Sequence, residues 1–228
     1  MRVAFLDLDH TLLAADSNQL WMAFLQSRQL LAAPEMAQHE RFMDDYANGV
    51  LDFDALQAFR IRLDASLPPD RLEQCLAVFQ REILLPAVAP LALGLLAQLR
   101  AQGLTTVVVS ATRASLVEPV ARHLAVDHLI TSCFGPQKVH RVEAWLKAQG
   151  GSLAALEESW FYSDSHNDLP LLEAVSHPVA VDPDIRLAQL AGQRQPRQGQ
   201  QRHDHHQLEI VDIADHQRLL VHQPVHLL

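Results

Sequence analysis

Val3-Ala4-Phe5-Leu6-Asp7-Leu8-Asp9-His10-Thr11-Leu12-Leu13 is the stretch from which the fold is read. Its apolar start is long enough for a buried parallel strand, and it runs into two carboxylates at i and i+2 with a threonine at i+4. Ionised carboxylates beside a hydrophobic strand are costly to bury unless a cation or a reaction needs them there. Asp7 and Asp9 are therefore placed at the carboxyl end of a strand, where open α/β sheets bind ligands. An isolated Asp-x-Asp-x-Thr is equally a strand ending in a polar turn. Three further pieces of the same chemistry downstream decide between the two.

Residues from about 17 to 85 carry helical spacing. Trp21, Phe24, Leu25 and Arg28 share one face, Leu56, Phe59 and Leu63 a second, and Leu72, Leu76 and Phe79 a third. Pro34, Asn48-Gly49 and Pro68-Pro69 punctuate them. Alternation follows: a helix over roughly 89–101 stopping at Gly103, then a strand Thr105–Val109. Next comes a helix over roughly 114–124, in which Pro119 requires a first-turn position or a kink. A helix Val139–Gln149 closed by Gly150-Gly151, a strand Trp160–Ser163 and a short strand Pro178–Val181 complete the series. Strands alternating with helices imply an α/β fold with a doubly wound parallel sheet. Its core comes from 1–15 and 86–190, with a small helical cap, 16–85, inserted after the first strand. Residues 191–228 read as an atypical tail, poorly packed or disordered, dominated by Gln, His and Arg. His203, His205 and His206 cluster there without a spacing that fixes metal geometry. Leu208–Ile213 and Leu219–Val221 read as short strands or a helix.

The formal charge of −9 over 228 residues argues against nucleic acid or an anionic membrane as the main partner, while leaving anionic small molecules open. No apolar stretch approaches membrane-spanning length, and Asp7 and Asp9 interrupt what would be the apolar core of a leader. Cys75 and Cys133 are isolated thiols without Cys-x-x-Cys spacing, which suits a reducing cytoplasm.

Ser110 follows the run Thr105–Val109, so its hydroxyl and the backbone N–H groups around Ala111 stand at a strand-to-helix turn suited to a phosphate oxygen. Serine there is also simply a good helix cap. Lys138 lies immediately before a helix and is either a surface lysine or a cation at the sheet edge. In Tyr162-Ser163-Asp164-Ser165-His166-Asn167-Asp168-Leu169-Pro170, two more carboxylates at i and i+4 follow a third strand. Four carboxylates brought towards one crevice require a cation, and an all-oxygen donor set favours Mg2+. Carboxylates, a hard metal, one lysine and a serine–amide pocket describe phosphoryl transfer.

Asp7-Leu8-Asp9-His10-Thr11, Ser110, Lys138 and Asp164…Asp168 resemble, in order, the four motifs of the haloacid dehalogenase-like superfamily. The run Ser163–Leu172 is similar to the subfamily (IB) containing phosphoserine phosphatase, whose members carry a helical cap between the first two motifs. The resemblance covers roughly residues 1–187. It implies that Asp7 is a nucleophile forming an aspartyl-phosphate, and that Asp9 protonates the leaving alkoxide and then activates water. It further implies that Ser110, Ala111, Lys138 and Asn167 meet the substrate's phosphoryl group. Asp7, the Asp9 backbone carbonyl and Asp164 would hold Mg2+, with Asp168 supporting the metal waters and Lys138. A carboxylate nucleophile needs its charge screened before it meets a phosphate, which agrees with this set.

Two features depart from the family pattern. The connection from Ser110 to Lys138 is short, lacking the strand-rich excursion of relatives, and the tail stands in place of a final sheet segment after Leu187. Asp16 stands where phosphoserine phosphatases place a carboxylate that meets the substrate amino group, but Asp16-Ser17 is also a reasonable helix start. Arg60 and Arg62 read either as contacts to a substrate carboxylate or as a solvated helix face. The favoured function is a Mg2+-dependent phosphomonoesterase for a small metabolite of the phosphoserine or histidinol phosphate type. A phosphotransferase using the same intermediate, and a non-catalytic phospholigand-binding homologue, are the alternatives.

Overall fold

In the computed structural model, which describes residues 1–194 and 208–211, six segments form strands, and the longer apolar and β-branched runs among them are almost wholly buried. The strands are β1 (Arg2–Leu6), β2 (Thr105–Val109), β3 (His128–Ile130), β4 (Glu158–Ser163), β5 (His177–Val181) and β6 (Glu209–Val211). All pair in parallel in one sheet of order β3-β2-β1-β4-β5-β6. Leu6 stands opposite Val108 on one side and Tyr162 on the other, so the residues following β1, β2 and β4 emerge at the same edge. The order reverses at β1, and a crevice at the carboxyl ends beside such a switch point is where this architecture binds ligands.

The chain forms two compact units, Met1–Ala14 with Val88–Leu228, and Ala15–Ala87. The second is helical: α1 (Ser17–Ser27), α2 (Ala33–Asn48), α3 (Phe53–Ala65) and α4 (Pro69–Phe79), the last running into a π-turn at Gln80–Leu84. Asp16 caps α1, Asp52 caps α3 through the Ala55 N–H at 2.9 Å, and Gly49 ends α2 at φ 73°. Trp21, Phe24 and Phe79 form its aromatic centre, with ring centroids 5.1–5.6 Å apart.

In the sheet unit, α5 (Ala92–Ala101), α6 (Ala114–His123), α7 (Pro136–Ala148), the short α8 (Leu169–Leu172) and α9 (Ile185–Arg194) alternate with the strands. Val3, Phe5, Val107 and Phe161 form one core with Val142 and Leu146 of α7 and Leu187 of α9. Ala4, Leu6 and Val108 point to the opposite face, and α5 and α6 bury Leu96, Leu99, Leu116 and Val120. Helices thus flank a parallel sheet in the doubly wound manner.

Four local points correct or complete the sequence reading. β3 was not legible because it is three residues long and exposes His128 and Leu129, unlike the buried runs around it. The final sheet segment is present: β6 pairs with β5, and Leu208 before it is buried. Lys138 is the third residue of α7, since Pro136 starts the helix earlier with its preset φ. Pro119 lies inside α6, past the first turn. His203, His205, His206 and Leu219–Val221 lie outside the described residues.

Candidate active site

Asp7 leaves the end of β1 with its backbone still in the ladder, its N–H donating to the Tyr162 carbonyl at 2.9 Å. Lys138 Nζ donates to Asp7 Oδ1 at 2.8 Å and to Asp168 Oδ2 at 2.7 Å, and lies 5.6 Å from the centre of the Phe161 ring. The lysine is 2% exposed. Burial alone would pull its pKa down, but the two carboxylates outweigh that and drive it well above the usual lysine range. Lys138 is therefore a fixed cation. Gly135, at φ 52° and ψ −129°, turns the chain so that Pro136 can begin α7 and bring the lysine inward. The short connection from Ser110 thus delivers Lys138 to the Asp7 carboxylate.

At the end of β2, the Ser110 N–H donates to the Ile130 carbonyl, and Ser110 Oγ accepts the Thr112 N–H at 3.0 Å. Ala111 is half-buried in this turn. Thr112 Oγ1 in turn donates to Asp9 Oδ2 at 2.8 Å. The turn after β2 therefore does two things: it presents a small polar loop beside Asp7 and it holds the Asp9 carboxylate. The sequence singles out Ser110 and Ala111 but not Thr112, because a threonine two residues past a strand carries no signal without its partner.

The loop after β4 brings the other acidic pole. Ser163 Oγ donates to Asp168 Oδ2 at 2.7 Å, the same oxygen that Lys138 holds. Ser165 Oγ accepts the Asn167 N–H at 3.2 Å and its side-chain amide at 3.4 Å, which sets the orientation of Asn167. Burial pushes the Asp164 carboxyl up to about 9, with the charges of Asp7 and Asp168 adding to it. Burial likewise raises Asp7 to about 7, Lys138 opposing it and Asp168 and Asp9 reinforcing it. Carboxylates so close and so dry resist being ionised together. A hard divalent cation relieves that conflict, and two carboxylates, a backbone carbonyl and water are donors that Mg2+ accepts. Among the described residues no three His, Cys, Asp or Glu side chains form a ready-made metal cluster. Asp168 is committed to Lys138 and Ser163 instead.

In the helical unit, Asp16 Oδ1 accepts the N–H groups of Asn18 and Gln19, both at 2.8 Å. Arg62 is exposed, whereas Arg60 is 8% exposed and donates to Gln57 Oε1 at 3.3 Å, so the solvated-face expectation fails for Arg60. His39, also buried, is held below its ordinary pKa by burial, with Asp16 opposing and Arg60 assisting. It was not singled out in the sequence, because an isolated histidine on a helix gives no signal.

Fold and site together define a hydrolase of α/β architecture with a buried cation held between two carboxylates. Residues 4–173 match the model of the haloacid dehalogenase-like hydrolase family, to which the chain belongs. A histidinol-phosphatase of Neisseria meningitidis serogroup C (strain 8013) is 33% identical over 211 residues, 84% of this chain and 95% of that relative. A solved structure of a protein with unknown function from Bordetella pertussis Tohama I superposes with TM-score 0.79 at 31% identity, over 93% of this chain and 98% of that one. A phospho-aspartyl intermediate analogue of phosphoserine phosphatase shares the fold, with TM-score 0.58 at 14% identity over 82% and 89% of the two chains. The protein is a phosphatase of this family, phosphoserine phosphatase-like in fold. No helix among the described residues is long and apolar enough to cross a membrane.

Proposed function

We propose that this phosphatase is a Mg2+-dependent phosphomonoesterase that works through an aspartyl-phosphate on a small, amino-bearing metabolite of the histidinol phosphate or phosphoserine type. The observation that carries the chemistry is the Lys138 ammonium fixed between Asp7 and Asp168 at 2.8 and 2.7 Å. It favours the ionised, nucleophilic form of Asp7 against burial, which raises its carboxyl to about 7. Asp7 attacks phosphorus, the ester P–O bond breaks, and the departing oxygen takes its proton from Asp9. Water then gives its proton back to Asp9 while its oxygen attacks phosphorus, and the acyl-phosphate bond breaks to return Asp7 and release phosphate. Ser110 and the Ala111 N–H hold phosphoryl oxygens in both steps, with Asn167 and Lys138. Asp7, Asp164 and the Asp9 carbonyl are the residues that would hold Mg2+, which supplies charge neutralisation between carboxylate and phosphate.

The relative named histidinol-phosphatase, matched over nearly its whole length, puts histidinol phosphate ahead of phosphoserine. The acidic net charge and the two isolated thiols fit a cytoplasmic enzyme of small molecules, without nucleic acid or membrane partners. The test is phosphate release from a panel of phosphorylated metabolites with Mg2+ and with EDTA. Histidinol phosphate should give the highest kcat/KM, and EDTA should remove activity. Equal rates on all members would sink the substrate assignment, and full activity after chelation would sink the metal.

A further inference from the structure

His166, a position inside the fourth motif to which the resemblance gives no role, and Asp184, outside all four motifs, are tied together at the loop that carries Asp164. After β5 the chain turns through Asp182, a non-glycine residue at φ 40°, and this uncommon conformation costs on the order of 1 kcal/mol. The turn delivers Asp184 against the loop. Its N–H donates to the Asp164 carbonyl at 2.8 Å, and its Oδ2 accepts the His166 N–H at 2.8 Å. The same Oδ2 lies 2.7 Å from His166 Nδ1. Its other oxygen accepts the Leu187 N–H at 2.8 Å, capping α9, which is anchored in the core by the fully buried Leu187.

The tautomer follows from the far side of the ring. His166 Nε2 lies 3.3 Å from Arg186 Nη1, and a guanidinium only donates, so Nε2 is the acceptor. Nδ1 then carries the proton and donates it to Asp184. One carboxylate thus joins a packed helix to both the backbone and a side chain of the loop.

From this geometry we propose that His166 and Asp184 are positioning residues that pre-set the Asp164 loop for the divalent cation, so that cation affinity depends on their hydrogen bond. The inference rests on the metal reading given under Proposed function. The physical reason is preorganisation: a loop held in place before the cation arrives loses little freedom when it binds. Without the imidazole, part of that ordering must accompany binding, and loss of such outer partners typically weakens metal affinity about 10–100-fold.

The experiment measures Mn2+ binding to the full-length protein by calorimetry, without substrate, alongside the Mg2+ concentration for half-maximal phosphate release. His166→Ala leaves both Asp184 backbone bonds and the α9 cap in place, so the fold should survive. It should weaken Mn2+ binding about 10-fold and raise the Mg2+ requirement by the same factor. His166→Asn puts an amide donor near the Nδ1 position and should recover most of the affinity. Wild-type affinity in His166→Ala, or an Asn variant as weak as Ala, would overturn the proposal. No cation binding by the wild type would overturn the metal reading and this one together. Binding abolished by Asp164→Ala but untouched by His166→Ala would overturn this one alone.

Discussion

Replacing Asp7 by Asn keeps the size and planarity of the side chain but leaves no nucleophilic oxygen for phosphorus. The variant should lose activity by at least about 1,000-fold while unfolding at wild-type or higher temperature, because it also removes a buried charge conflict. Near-normal turnover with normal Mg2+ dependence would exclude the covalent route. Asp16 is a different case, since its Oδ1 already caps α1. Asp16→Ala should cost about 1 kcal/mol of stability from the cap alone. If Asp16 also meets a substrate amino group, kcat/KM for the amino-bearing substrate should fall about 10-fold or more relative to an aryl phosphate. Equal losses on both substrates would return Asp16 to its capping role. At this scale the acids that gather at the sheet edge were legible, because an acid directly after a buried apolar run is costly without a partner. Their partners Thr112, Ser163 and Asp184 were not, since a hydroxyl or acid becomes meaningful only when the fold brings it within 3 Å of a functional group.

Two glycines separate strain from space at the level of elements. Gly135 precedes α7 at positive φ, and a Cβ there would meet only the Asn167 carbonyl at an ordinary 3.7 Å. Gly135→Ala therefore suffers from backbone strain rather than collision, at about 1–2 kcal/mol. Since α7 carries Lys138 in its first turn, kcat/KM should drop for every substrate alike. Gly94 lies exposed inside α5, and a Cβ added there would have nothing within 4 Å. Gly94→Ala should therefore stabilise by about 0.5–1 kcal/mol and leave kinetics unchanged. Urea unfolding with steady-state assays of both variants checks the contrast. A Gly135→Ala enzyme with unaltered kinetics would mean the turn does not position the lysine. Helices and strands with clear period or long apolar runs were readable, as at Thr105–Val109. β3 and β6, three residues each, depend on neighbours already in the sheet and carry little pattern of their own.

For the whole molecule, the buried carboxylates set a pH dependence whose sign is fixed. Asp7 and Asp164 rise from 3.8 to about 7 and about 9, so above 3.8 the folded state holds protons that the unfolded chain has released. Stability of the metal-free protein therefore falls as pH rises through those values. His39, lowered from 6.5, works the opposite way only below 6.5, and Asp127 and Asp184, lowered from 3.8, only below 3.8. Between pH 7 and 9 the acidic site dominates: in EDTA the melting temperature should fall, and Mg2+ should restore more at pH 9 than at pH 7. A flat or rising metal-free profile over that interval would contradict the reading of the carboxylates. What the sequence by itself determined was the class of fold and the sheet edge at which its acids gather, because apolar runs ending in Asp7, Ser110 and Asp164 leave few ways to bury the runs and satisfy the acids. Only the tertiary structure decided that Lys138 is a fixed cation, that Thr112 holds Asp9 and that Asp184 braces the Asp164 loop. Those are contacts between residues far apart in the chain, and their energies depend on distance and burial, which local sequence does not encode.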